Sequence, residues 1–125
     1  MLDHVGVASS DVKRSREFYV AALAPLGHSV LMEGEGYCGI GKASGEDAWI
    51  GTIWLHHAES VAPNHIAFRV NDRATVDAFY KAAMAAGGKD NGAPGIRAQY
   101  HETYYGAFVL DQDGNNVEAV CHKPE

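Results

Sequence analysis

No run of Lys or Arg occurs anywhere in the chain, and its 10 basic side chains are outnumbered by 16 acidic ones, for a formal net charge of −6. Nucleic acid and anionic membranes both demand a basic footprint, so neither is an expected partner. Cysteine is scarce: Cys38 and Cys121 stand far apart and form no C-x-x-C pair. That gives no support for a disulfide framework and suggests a reducing compartment. No segment approaches the roughly 20 apolar residues of a membrane span. The opening Met1-Leu2-Asp3-His4 has no basic region followed by an apolar stretch, so no signal peptide is read there and a cytoplasmic location is expected. What remains is ordinary for a globular chain, with 46% hydrophobic residues. The length suits one domain over residues 1–125 rather than two independent cores.

Within that domain lies a duplication. Setting His4 on His65 pairs Asp11 with Asp72, Phe18 with Phe79, Tyr19 with Tyr80, Ala21 with Ala82, Ala22 with Ala83 and Gly27 with Gly88, all without a gap. Conservative pairs such as Val5 with Ile66 and Val7 with Phe68 fill the intervals. Two modules follow, residues 1–56 and 63–125, joined by a segment from His56 to Pro63. Each opens with an alternating strand, Leu2–Ala8 or Asn64–Val70, whose apolar residues share one face while His4 or His65 sits on the other among small neighbours. A helix follows, with Asp11 or Asp72 as its N-cap and glycine at its end. Strands are expected near His28–Glu33, Tyr37–Lys42 and Ala48–Leu55 in the first module. In the second, a loose, Gly- and Pro-rich stretch over Lys89–Gly95 precedes a hairpin of Tyr104–Leu110 and Asn116–Cys121. The fold class is therefore α+β, built from two tandem βαβββ modules.

Of seven histidines, His4 and His65 alone hold equivalent positions, and a pseudo-twofold relation between the modules would bring them to one shared point. Glu118 stands among Val117, Ala119 and Val120 on the last strand, where an unpaired carboxylate is costly. Two imidazoles and a carboxylate suit Fe, Mn, Ni, Co or Zn and leave coordination positions for a substrate. The bland alternatives are half-buried histidines bonded to backbone and a Glu118 paired with Arg97 or Arg69. His101, with Tyr100, Tyr104 and Tyr105, is placed to line a cavity mouth or simply to pack within a Tyr-rich strand pair. His56 and His57 read as a solvated linker, Trp49 and Trp54 as core or subunit interface, and Asp111 and Asp113 as turn formers.

A histidine heading each module, with Asp111-Gln112-Asp113-Gly114-Asn115-Asn116-Val117-Glu118 closing the second, resembles the vicinal oxygen chelate superfamily. That group includes glyoxalase I, extradiol dioxygenases, fosfomycin-resistance thiol transferases and bleomycin-binding proteins. The resemblance implies a concave mixed sheet with helices outside and His4, His65 and Glu118 as ligands of a divalent metal. It also implies a small substrate bound through adjacent oxygens, His101 or Tyr104 as acid/base groups, and a homodimer. Residues 48–54 offer no carboxylate or amide where glyoxalase I has its fourth ligand, a departure from that enzyme. The shortage of cations beyond Arg69, Arg97 and Lys42 counts against phosphonate or glutathione substrates. The alternative is a metal-independent binding protein of the bleomycin-resistance type. The two modules either close on each other or exchange with a second chain.

Overall fold

An aspartate, a helix-period run of apolar residues and a glycine stop build each helix of the molecule. The computed structural model describes residues 1–125. Helix α1 spans Val12–Leu23, and the Asp11 carboxylate accepts from the Arg14 N–H at 3.2 Å. Ser15, Phe18, Tyr19, Ala22 and Leu23 recur at helical spacing and are buried. A single 3-10 turn, Ala24–Leu26, carries Pro25 and ends at Gly27, whose φ of +82° is open to glycine without strain. Helix α2, Arg73–Ala85, repeats the plan: Asp72 accepts from the Thr75 N–H at 2.7 Å, and Val76, Phe79 and Ala83 are buried.

The strands of the first module are β1 (His4–Ser9), β2 (Ser29–Gly34), β3 (Tyr37–Gly41) and β4 (Thr52–His57), in sheet order β1-β4-β3-β2. Those of the second are β5 (His65–Arg69), β6 (Lys89–Ile96), β7 (Tyr105–Leu110) and β8 (Asn116–Cys121), in order β5-β8-β7-β6. In both sheets the first strand runs parallel to the last and the remaining pairs are antiparallel. This is the α+β architecture of two βαβββ modules that the duplication predicts.

Two local expectations are corrected. The last strand of module one begins at Thr52 rather than Ala48, because Trp49 at φ +67° and Gly51 at φ +75° break the extended run. It then continues through His57, so His56 and His57 belong to the sheet and not to the linker. The loose Lys89–Gly95 stretch forms a full strand to Ile96, bent by register shifts at Asp90/Gly92 and Gly92/Gly95.

The two helices pack on one another, and one continuous core draws on both modules. Val7, Ile40, Ile53 and Leu55 enter it from the first sheet, and Phe68, Val109, Val117 and Ala119 from the second. Each of these side chains larger than alanine contributes about 1.5–3 kcal/mol by leaving water. Polar contacts reinforce the join at the β7–β8 turn. The Tyr19 hydroxyl donates to Asp111 Oδ2 at 2.5 Å, the Ser10 N–H and hydroxyl donate to the Asp113 carboxylate, and Gln112 reaches Ser15. Asp111 is thus more than a turn former: it is buried and accepts from the Asp113 and Asn115 N–H groups and the Asn115 side chain.

Candidate functional site

Strand alternation decides which side chains leave the shared core. In β8, Val117 and Ala119 face the helices, so Glu118 projects from the opposite face of the sheet. It pairs in register with Ala67 of β5 on one side and Phe108 of β7 on the other. His65 lies two residues before Ala67 on the same face, diagonal to Glu118, and its Nε2 is 3.1 Å from Glu118 Oε2. Glu118 is 1% exposed. Its other oxygen accepts from the Tyr104 hydroxyl. Gly106 leaves room for that contact, since a Cβ there would lie 3.1 Å from the Tyr104 ring and 3.3 Å from Glu118 Oε1. Neither Arg97 nor Arg69 pairs with the carboxylate. The Arg97 guanidinium sits 5.3 Å above the Phe108 ring and donates to the Ala93 carbonyl at 2.7 Å.

Proton bookkeeping gives this cluster its chemical character. His65 Nδ1 lies 2.9 Å from the Asn116 carbonyl, which can only accept, so Nδ1 carries a proton. In the neutral ring, Nε2 then holds the lone pair and points it at a carboxylate oxygen. Two acceptors facing each other are stable only with a proton or a cation between them. The donor on the other carboxylate oxygen, Tyr104, stays protonated: burial, its hydrogen bond to Glu118 and the charge of that carboxylate push its phenol well above the ordinary range. Phe108 stacks beside His65 at 6.3 Å between ring centroids and dries one side of the pair.

Of the residues named from sequence, His65, Glu118 and Tyr104 are therefore brought together, and His101 stands beside them with its ring 5.3 Å from that of Tyr104. His4 is not brought to this cluster within one chain. It caps β1 on the outer face of the other sheet, and its Nδ1 lies 2.6 Å from Asp3 Oδ1. Nowhere in the chain do three or more His, Cys, Asp or Glu side chains gather in a way that would hold a metal ion. A cavity of about 690 Å³ opens between the modules and is lined by His4, His28, Lys42 and Arg69, but not by His65 or Glu118. The tryptophans leave the core as well: Trp49 is 43% exposed, and its ring lies 6.4 Å from that of Trp54.

One residue of these faces went unread in the sequence, and a second was read there only as linker. His122 follows β8 with Glu118 and Val120 on its face, and its Nδ1 lies 2.5 Å from His101 Nε2. The signal was there, four positions after Glu118 at strand period. His56 lies beside Gly6 on the outer face of the first sheet, where a Cβ on Gly6 would stand 3.7 Å from its ring.

Comparison with known proteins agrees with the architecture. Residues 1–119 match the model of the Glyoxalase/Bleomycin resistance protein/Dioxygenase superfamily. A glyoxalase/bleomycin resistance protein from Albidiferax ferrireducens T118 is 25% identical, with a TM-score of 0.77 over 94% of this chain and 95% of that one. A glyoxalase/bleomycin resistance protein/dioxygenase family enzyme from Burkholderia phytofirmans PsJN is 18% identical, with a TM-score of 0.74 over 97% and 98% of the two chains. TioX from Micromonospora sp. ML1 is 15% identical, with a TM-score of 0.74 over 98% and 99%. No match is found among curated proteins. No helix is long and apolar enough to cross a membrane.

Proposed function

We propose, from the premise that this chain belongs to the Glyoxalase/Bleomycin resistance protein/Dioxygenase superfamily, that it is a glyoxalase-like metal-dependent enzyme. Its substrate is a small molecule bound through adjacent oxygens, and the chemistry is of the lyase/isomerase or the dioxygenase type. The observation that carries this reading is the meeting of His65 Nε2 with the buried Glu118 carboxylate, two acceptors aimed at one point. The donor set fits a divalent Fe, Mn, Ni, Co or Zn ion: an imidazole oriented by a carbonyl, and a carboxylate without a Lys or Arg partner. When bound, such a metal supplies Lewis-acid stabilisation to substrate oxygens that develop negative charge.

The third ligand is the partner's His4. What supports this reading is the position of His4 on the sheet face of the other module, away from the shared core. Two chains related by a twofold axis lay the first sheet of one against the second sheet of the other, which gives a homodimer with two sites. Tyr104 keeps its proton and holds the Glu118 carboxylate in one orientation. The Asn116 carbonyl does the same for the His65 ring, and Phe108 covers one face of that ring.

Metal analysis on protein purified without chelator or His tag tests the site. About one equivalent per chain is expected in the wild type, lost in His4→Ala, His65→Ala and Glu118→Ala. Mixing unfolded His4→Ala and Glu118→Ala chains and refolding them together is expected to restore metal, because one site of each mixed dimer is then intact. A site built within one chain would not recover. The Fe or Mn outcome favours oxygen chemistry, and Ni or Zn favours isomerase or lyase chemistry. The alternative is metal-independent binding of a flat ligand. It draws on the exposed Tyr100 ring, 5.0 Å from that of Tyr104. It gains if the wild type takes up none of these metals.

A further inference from the structure

We propose that the imidazole meeting the substrate is that of His122, presenting Nε2–H as a fixed hydrogen-bond donor to an acceptor oxygen, and that His101 is the positioning residue behind it. The evidence is a chain of proton assignments around residues 101–103. The Thr103 N–H donates to His101 Nδ1 at 3.2 Å, so that nitrogen carries a lone pair and the proton of the neutral His101 ring sits on Nε2. His101 Nε2 is 2.5 Å from His122 Nδ1 and donates to it. His122 Nδ1 therefore holds a lone pair, and the His122 proton sits on Nε2. The rings stack with centroids 4.8 Å apart and planes 23° from parallel, and the Thr103 hydroxyl donates to the His122 carbonyl at 2.7 Å. One loop residue thereby fixes the tautomer of one imidazole and the backbone of the other.

Both nitrogens of His101 are consumed within the protein. His122 Nε2 is the nitrogen of the pair left over: it makes no hydrogen bond in the chain and is not among the buried unpartnered atoms. It also lies on the correct side. His122 continues the face of Glu118 and Val120, and its ring meets the edge of Tyr104 at 5.3 Å, while Tyr104 holds Glu118.

The arrangement fixes the sign of the interaction. To offer a lone pair at Nε2, His122 would have to hold its proton on Nδ1, which would force the His101 proton onto Nδ1 against the Thr103 N–H at 3.2 Å, with only the Thr103 hydroxyl, farther off at 3.3 Å, to accept it. The neutral pair is therefore a donor and not a base. Its complement is a carbonyl, carboxylate or enolate oxygen on the substrate. That this oxygen neighbours those on the metal rests on the metal-site reading above, whereas the tautomers do not.

The first test is two-bond ¹H–¹⁵N spectroscopy of the histidine rings in metal-free wild-type protein near pH 8. Both His101 and His122 are expected as Nε2–H tautomers, and His101→Phe is expected to release His122 into a mixture of the two. A proton on Nδ1 of either ring in the wild type, or an unchanged His122 in the variant, overturns the proposal. The second test is binding of acetohydroxamate, a two-oxygen chelator, to zinc-loaded protein. His122→Phe should weaken it about tenfold, and His122→Gln, which retains an N–H donor, should recover most of the loss. Equal affinity in all three proteins, at equal zinc content, overturns the contact. Failure of the wild type to load zinc would sink the metal-site reading instead, and the tautomers would still decide the proposal.

Discussion

The outer faces of the two sheets began as copies and have diverged most tellingly at one pair of facing positions. In the first module Gly6 pairs with Trp54, and Trp54 with Gly39. In the second Ala67 pairs with Glu118, and Glu118 with Phe108. Trp54 thus occupies the place of Glu118. The size relation is reversed in the adjacent strand: a Cβ on Gly39 would fall 2.5 Å from the Trp54 ring, whereas Glu118 lies beside a phenylalanine. Each sheet fills the same space with one large and one small group. The duplicated scaffold kept a histidine at the head of each module and concentrated the carboxylate, the phenol and the imidazole pair on the second.

The sharpest way to break this comparison is to truncate the two positions separately. Glu118→Ala should abolish metal binding while Trp54→Ala leaves it intact, as read by elemental analysis. Loss of metal in both would mean that the first sheet supplies more than His4. Next in size is Tyr104→Phe, which deprives the Glu118 carboxylate of its donor. About 10- to 100-fold weaker metal affinity is expected from removing such an orienting contact, and isothermal titration with zinc would measure it.

The paired tyrosines give a third contrast. Tyr19 is fully buried with its hydroxyl on Asp111, and its phenol is held above the ordinary range by burial, by the charge of Asp111 and by that hydrogen bond. Its counterpart Tyr80 donates at 3.1 Å to Asp90 at the surface. Tyr19→Phe should cost about 1–3 kcal/mol in urea unfolding and Tyr80→Phe no more than about 0.5. Equal costs would deny the Tyr19 contact its special weight.

The smallest effect concerns His28, whose counterpart is the exposed Lys89. His28 is 8% exposed, with neither ring nitrogen hydrogen-bonded and its ring edge-on to Phe68 at 5.5 Å. Burial lowers its pKa in the folded state. The unfolded chain therefore binds the proton more readily, and stability present above about pH 6.5 is lost as the pH falls toward the depressed folded value. Replacing His28 with Phe should flatten the acid limb of a stability–pH curve measured by urea titration. An unchanged limb would remove His28 from the account.

Much of this was legible in the chain because it depends on short periods. The Asp caps, the helical faces, the duplication and the position of Glu118 on a strand face all repeat at spacings that sequence exposes. That His65 belongs with Glu118 was carried by the family resemblance and not by spacing, and the Tyr104 hydroxyl on Glu118 was not legible, since it reaches across from just before the neighbouring strand. His122 was legible by the same alternation that singled out Glu118, yet it lies at the strand end, where the pattern is shortest. The separation of His4 from His65 depends on which faces of the sheets the helix pair covers. Strand alternation gives the faces but not the way two modules stack.

The common core also has a meaning for assembly. Each module behaves as a subunit, the helix pair and the grip on the Asp111–Asn115 turn are its interface, and the segment between His57 and His65 is a tether. Such a tether acts by raising the effective concentration of one half near the other. What it joins is already complementary, so the chain is in effect a heterodimer encoded in one reading frame.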